Sequence, residues 1–210
     1  MTWLEILQSE LKLLAQRRPL FHSEADFQHE LAWQLQTRGL VDKIRLEFPM
    51  HTSSGVMNLD LLAVRGTTRI AIELKYWKRA LNLLGPDGER FVLKNQGAHD
   101  TSRYDFWKDV WRIETMVDEG MVDAGFALTL TNDSAYWRPG RDGTIDAAFR
   151  IHSKRPQVSG SLDWADHAGV GTTKGRSGLH VRGVYQPSWT DYSLPDPTHP
   201  FRYMMVSING

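Results

Sequence analysis

The 210-residue chain contains no cysteine, which excludes disulfides, thiolate metal sites and a cysteine nucleophile together. It also lacks an excess of either charge. The 25 Lys and Arg balance 25 Asp and Glu, so the whole-molecule field draws it neither to nucleic acid nor to acidic membranes. Any such binding has to come from a local patch. Long apolar runs are missing too: nothing approaches the roughly 18 consecutive apolar residues of a membrane span. The opening MTWLEILQSELKLLAQRRP is amphipathic, interrupted by Glu5, Glu10 and Lys12, and lacks the unbroken apolar centre of a signal peptide. A cytoplasmic location with no membrane partner is the expectation, and the absence of cysteine suits a reducing compartment. The eight histidines make no zinc spacing such as HExxH. The basic, glycine-rich GTTKGRSGLHVRG has no phosphate-loop pattern and reads as a hairpin connection in preference to a mobile DNA-contacting segment. No internal repeat or low-complexity linker interrupts the chain.

What is present can build a core, with hydrophobic residues at 41% and charged residues at 24%. One domain over residues 1–210 is expected: an N-terminal helix in 1–22, a core over 23–132 and a β-rich extension over 133–210. Leu4, Leu7, Leu11 and Leu14 recur at helical spacing, with Thr2 and Glu5 in a capping-box pattern. A second helix starts at Ser23, with Asp26 as its box partner, and runs to Gly39 with Phe27, Leu31 and Leu35 as its stripe. Three strands follow, near Lys43–Phe48, Val56–Arg65 and Arg69–Trp77. ALNLLGPDGERFVLKN suggests a small hairpin turning at Pro86-Asp87-Gly88. A long helix covers about Gln96 to Glu119, burying Phe106, Val110, Ile113 and Val117, and AGFALTLTN is a further strand. Trp107 and Trp111 sit at helical spacing as packing residues. On the other side of that helix Asp105, Lys108, Asp109 and Arg112 read as a solvated face laced with ion pairs. AAFRIH, HVRGVYQ and FRYMMVSI read as additional C-terminal strands that extend or cover the first sheet.

The chemistry concentrates in MNLDLLAVRGTTRIAIELKYW, Met57 to Trp77. Alternation along a strand puts Asn58, Asp60 and Leu62 on one face and Met57, Leu59 and Leu61 on the other. On the next strand Ala71, Glu73 and Lys75 oppose Ile70, Ile72 and Leu74. A two-residue loop at Gly66-Thr67 pairs Arg65 with Thr68, and counting back sets Asp60 across from Glu73 and Asn58 across from Lys75. Directly opposed residues have Cβ atoms about 5 Å apart, where like charges destabilise a sheet. Two carboxylates so placed need a proton, a cation or a metal between them. Lys75, about 7 Å from Glu73 along the strand, supplies part of the compensation. Hard oxygen donors and few protein contacts fit Mg²⁺, which keeps several waters and is completed by substrate phosphate.

Asp60, twelve residues, then Glu73-Leu74-Lys75 resembles the signature of the PD-(D/E)XK nuclease superfamily, the restriction endonuclease-like fold. The resemblance extends over Ser23 to Asn132 and includes the order of elements: helix, three-strand meander, helix, strand. Leu59 stands where the family name has proline, a position that varies within the superfamily. The resemblance implies an α/β fold and a Mg²⁺-dependent endonuclease, with Mn²⁺ as a substitute ion. Asp60, Glu73 and the carbonyl of Leu74 would hold the ion, and Glu30, from a helix similar to the family's first, would serve it through water or bind a second. Lys75 would orient or deprotonate the attacking water. Gln96 resembles a glutamine that some lineages use near the site. Lys78, Arg79, Lys94, Arg103 and Lys108 lie near the site in sequence as contacts for flanking phosphates, and Tyr104 near the helix start is a further candidate for touching substrate. DNA is the expected partner ahead of RNA, and the sequence leaves monomer and homodimer both open. The rival expectation is a catalytically inactive domain of the same fold that binds nucleic acid or protein; a third is an enzyme acting on another phosphate ester.

Overall fold

The computed structural model describes residues 1–85 and 87–209. Helices α1 (Trp3–Arg17) and α2 (Glu24–Thr37) open the chain and lie against a mixed six-stranded sheet. Its strands are β1 (Lys43–Thr52), β2 (Gly55–Arg65), β3 (Thr68–Trp77), β6 (Ala124–Thr131), β9 (Trp189–Ser193) and β10 (Phe201–Asn209), in the order β1-β2-β3-β6-β10-β9. Between β3 and β6 come a small hairpin, β4 (Leu81–Leu84) and β5 (Arg90–Leu93), and the long helix α3 (His99–Asp118). A second hairpin, β7 (Val158–Leu162) and β8 (Leu179–Tyr185), is joined by the short helix α4 (Val170–Thr173). The fold is therefore α/β. Among the described residues no helix is long and apolar enough to cross a membrane.

The first two helices form where their caps say they should. Thr2 and Glu5 make the full capping box of α1, at 3.2 and 2.7 Å. Ser23 caps α2 by accepting from Asp26 N, but the Asp26 carboxylate bonds Arg18 and the His22 N–H instead of completing the box. Leu7, Leu11, Leu14, Phe27, Leu31 and Leu35 are buried with Leu61, Ala63, Ile70, Ile72 and Leu74 of the sheet. The other face of the sheet packs on α3, through Leu62, Ala71, Ala127 and Met204 against Phe106, Trp107, Val110 and Ile113. The β8 strand lies over the far side of α3, where Glu114 accepts from the Arg182 and Gly183 N–H groups and the Tyr185 hydroxyl. Of the expected C-terminal strands, β10 extends the sheet, with β9 beside it, while β8 pairs with β7 in a separate hairpin over α3.

One close approach fixes how α3 sits. A Cβ on Gly125 of β6 would stand 2.3 Å from Ile113 Cγ2 and 3.0 Å from the Ala71 carbonyl, so only a glycine lets the helix lie this near the strand. Trp77 stacks on Tyr136, with ring centroids 4.2 Å apart, where the chain leaves β6. At the opposite edge Tyr192 donates to Arg18 O at 2.8 Å and Ser193 donates to Pro19 O, tying β9 to the segment between α1 and α2.

Several expectations change. The long helix starts at His99, after Ala98 in a left-handed conformation (φ 61°), so Gln96 lies in the preceding loop. AAFRIH is not a strand: Ala147–Phe149 makes a single 3-10 turn and Phe149 and Ile151 are buried under α3. The strands β7 and β9 fall in stretches read as loops. In the β4–β5 hairpin, Pro86 lies outside the described residues; beside it Gly85 N donates to Glu89 O, and Gly88 has a positive φ of 85°.

Candidate metal centre in the fork between two strands

The turn between β2 and β3 has the expected register. Gly66 adopts φ 59°, and Arg65 pairs with Thr68, Val64 with Arg69 and Leu61 with Ile72. There the ladder stops, one step short of Asp60 and Glu73. β3 continues beside β6 as far as Trp77 while β2 turns away. The cause sits in the next strand. Glu47 of β1 has a positive φ of 49° and is skipped in a ladder that pairs Leu46 with Leu61 and Phe48 with Leu59. Side chains exchange faces at this point. Leu46 and Leu61 pack toward α1 and α2, whereas Phe48, Met57 and Leu59 pack toward α3. The simple alternation that put Leu59 with Leu61 does not hold. Gln28 of α2 spans the break, donating to Glu47 Oε1 at 3.0 Å and to the Asp60 carbonyl.

The gap between the diverging strands is filled by carboxylates. Asp60 Oδ2 accepts from the Leu74 N–H at 2.7 Å, and Glu24 Oε2 accepts from the Tyr76 N–H at 2.7 Å. Two backbone donors of β3 that a neighbouring strand would satisfy are met by acids instead. The Leu74 carbonyl lies in the same gap, where Lys75 Nζ donates to it at 3.1 Å. Toward α3, Lys75 Nζ stands 2.8 Å from Asp109 Oδ2, and Arg112 Nη2 stands 3.1 Å from Glu73 Oε1. Arg112 also reaches Asp109 at 3.2 Å and donates to the Asn58 carbonyl. Asp60 and Glu73 therefore lie on the same side, near enough that the charge of Asp60 helps raise the Glu73 carboxyl.

The electrostatics are unbalanced. Four carboxylates, Glu24, Asp60, Glu73 and Asp109, face two cations, Lys75 and Arg112, leaving two negative charges when all are ionised. Glu73 is 1% exposed; its Oε1 faces the Arg112 guanidinium, and its Oε2 has no partner among the described residues. Burial lifts the Glu73 carboxyl well above its usual range, and the charges of Asp109 and Asp60 add to this against the pull of Arg112 and Lys75. Burial likewise raises Asp60 and Glu24, with Lys75 opposing in both cases. For Lys75 burial alone favours loss of the proton, but the carboxylates of Asp109, Asp60 and Glu24 outweigh it and hold the ammonium charged.

A buried carboxylate oxygen without a partner, in surplus negative charge, is the setting a hard divalent cation answers. Among the described residues no three acidic or histidine side chains already converge on one point at ligating distance. The donors that fit Mg²⁺ are the Asp60 and Glu73 carboxylates and the Leu74 carbonyl, with water completing the shell.

Comparison of the chain with protein-family models, with curated proteins and with solved structures finds no match. The geometry alone carries the functional reading.

Of the residues singled out in the sequence, Asp60, Glu73, Leu74 and Lys75 come together. Glu30 does not: it pairs with Arg17 at 2.9 Å and Arg18 at 3.8 Å, beside a cavity lined by Trp33, Ile44 and Leu46. Glu24, six residues earlier, is the α2 carboxylate that enters the fork. Gln96 is exposed, its N–H bound to the Lys78 carbonyl at 2.8 Å. Arg103 is buried, ion-paired with Asp146 at 2.5 Å and donating to Ala135 O at 2.8 Å, so it cannot meet a phosphate. Tyr104 is buried beside Phe149 and Trp164. Arg79, Lys94 and Lys108 are exposed, and Lys78 is half-buried with Nζ 3.5 Å from His22 O.

Asp109 and Arg112 correct the reading of α3 as a solvated face, because both look inward at β3. Their spacing with Asp105 is the signal: positions i, i+4 and i+7 make a polar stripe bordering the buried side of the helix, while Lys108 stays exposed. Glu24 also had a signal, as an acid in the first turn directly after the Ser23 cap.

Proposed function

We propose that this chain is a metal-dependent phosphodiesterase acting on nucleic acid, DNA ahead of RNA, built on a restriction endonuclease-like core. The observation that carries this is the meeting of Asp60, Glu73, the Leu74 carbonyl and a charged Lys75 in a fork opened between β2 and β3. Asp60, Glu73 and the Leu74 carbonyl would hold Mg²⁺, with Mn²⁺ as a substitute; the ion supplies an activated water and neutralises charge on the scissile phosphate. Lys75, kept protonated by Asp109, acts as a fixed positive donor that orients the water and stabilises the developing charge. It is not the base in the resting site. Asp109 positions Lys75, and Arg112 positions Glu73 by bridging it to the Asn58 carbonyl. Cytoplasmic action and a single catalytic domain complete the proposal.

One observation favours the inactive binding domain as a second reading. Lys75 and Arg112 already stand against Asp109 and Glu73, so part of the cluster is compensated without any metal. Incubation with supercoiled, linear, branched and single-stranded DNA, in Mg²⁺, Mn²⁺ or EDTA, separates the two. Metal-dependent cleavage lost in both Asp60→Asn and Lys75→Ala is the expected result. Binding without cleavage in the unaltered protein would establish the rival, and cleavage persisting in both variants would place the chemistry elsewhere.

A further inference from the structure

A cavity of about 640 Å³ opens where β3 and β6 end, away from the acidic fork. Arg79, Arg138, Lys154, His199 and Arg202 line it, and no aspartate or glutamate does. In a chain with equal numbers of acidic and basic residues, five basic side chains around one cleft are a local departure from the balance. His199 and Arg202 are matched by Asp196 and Asp191, each at 2.7 Å. Arg79, Arg138 and Lys154 are exposed, and among the described residues none of the three stands in an ion pair. The Arg79 backbone is held in place by Asn132, which accepts from its N–H at 2.7 Å and donates to its carbonyl at 3.1 Å. A neighbouring cavity of 430 Å³ shares Arg79, Ser134, Arg138 and Pro139 and leads toward His99 at the start of α3. Asp133 lines that second cavity and pairs with His99 at 2.8 Å, so the uncompensated positive charge belongs to the first.

We infer that this cleft binds the phosphates of a nucleic-acid strand continuing from the acidic fork. The inference rests on the nuclease reading and adds where the strand runs. Arg79 follows Lys75 by four residues, about 13 Å at the rise of a strand, which corresponds to roughly four nucleotides at 3.4 Å each. A strand whose scissile phosphate lies at Lys75 has further phosphates within reach of the cleft. Trp137, the aromatic lining residue, is 7% exposed and lies under the Arg202 guanidinium at 5.5 Å, so it offers no open face for a base. Binding in the cleft reads backbone charge and not sequence.

The test is fluorescence anisotropy with an end-labelled single strand and a duplex of equal length. EDTA prevents cleavage, and affinity is measured across a KCl series. The doubly substituted Arg138→Ala, Lys154→Ala protein is compared with the unaltered one and with Arg65→Ala, a control at the other end of β3. Loss of two phosphate contacts is expected to weaken binding about tenfold at low salt and to reduce the log–log salt slope by about two. Unchanged affinity and slope in the double variant would overturn the inference. Asp60→Asn is run in parallel for cleavage in Mg²⁺. If cleavage depends on Asp60 but the cleft variant binds normally, the nuclease stands and the cleft assignment fails. If the cleft variant loses binding while no protein cleaves, the cleft stands and the nuclease fails.

Discussion

Replacing Glu73 by glutamine is expected to stabilise the protein, and to do so more strongly as pH rises. The side chain keeps its shape and can still face Arg112 with an oxygen, but it no longer carries a charge in a site that is 1% exposed and shared with Asp60 and Asp109. A carboxyl whose folded-state pKa is raised holds its proton more tightly in the native protein than in the unfolded chain. Its stabilising effect is full below the unfolded value of 4.5 and is lost as pH rises toward the folded value. The loss for one proton cannot exceed about 1.4 kcal/mol per pH unit. Unaltered protein and variant should therefore agree near pH 4.5 and separate above it, by up to about 2.7 kcal/mol two pH units higher. Urea unfolding in EDTA, followed by tryptophan fluorescence at a series of pH values, measures the separation directly. Taking the difference between the two proteins cancels the other titrating groups. The same assay with Mg²⁺ should raise the midpoint of the unaltered protein and leave the variant nearly unmoved. Parallel stability curves, or a variant less stable at the alkaline end, would refute the claim that Glu73 is a buried charge short of compensation.

Asp109→Asn removes the largest influence holding the Lys75 proton, so the alkaline limb of a cleavage pH profile should move to lower pH while circular dichroism stays native. Glu24→Gln should weaken Mn²⁺ binding measured by calorimetry, whereas Glu30→Gln, on the far side of α2 beside Arg17 and Arg18, should leave it unchanged. Gly125→Ala forces a methyl group against Ile113 and should cost about 1–3 kcal/mol in chemical unfolding, with a loss of activity larger than the lost folded fraction because α3 carries Asp109 and Arg112.

The β2–β3 hairpin was readable because two independent signals agreed on it. Period-two burial and a glycine turn both fix the register, and the expected Arg69–Trp77 differs from β3, Thr68–Trp77, by one residue. The break at Glu47 had no such signal. A glutamate at positive φ looks like any strand residue in sequence, and the exchange of faces it causes depends on Gln28 arriving from α2. That Glu24 and not Glu30 enters the fork is hidden for a related reason: the stripe of α2 shows which side is buried but not which end of the helix meets β3. Periodicity likewise divided α3 into apolar and polar sides without revealing that β3 presents Glu73 and Lys75 to the polar one. In β7 the segment Val158–Leu162 is mostly serine and glycine, and it becomes a strand only because β8 pairs with it over α3.

The tie between β9 and the stretch preceding α2 joins groups 174 positions apart. Glu24 follows that stretch by only a few residues, so the segment from which α2 departs toward the fork is held by a strand distant in sequence. Closing so long a loop is slow relative to local helix and hairpin formation, so this edge of the sheet is expected to dock after the β2–β3 hairpin has formed.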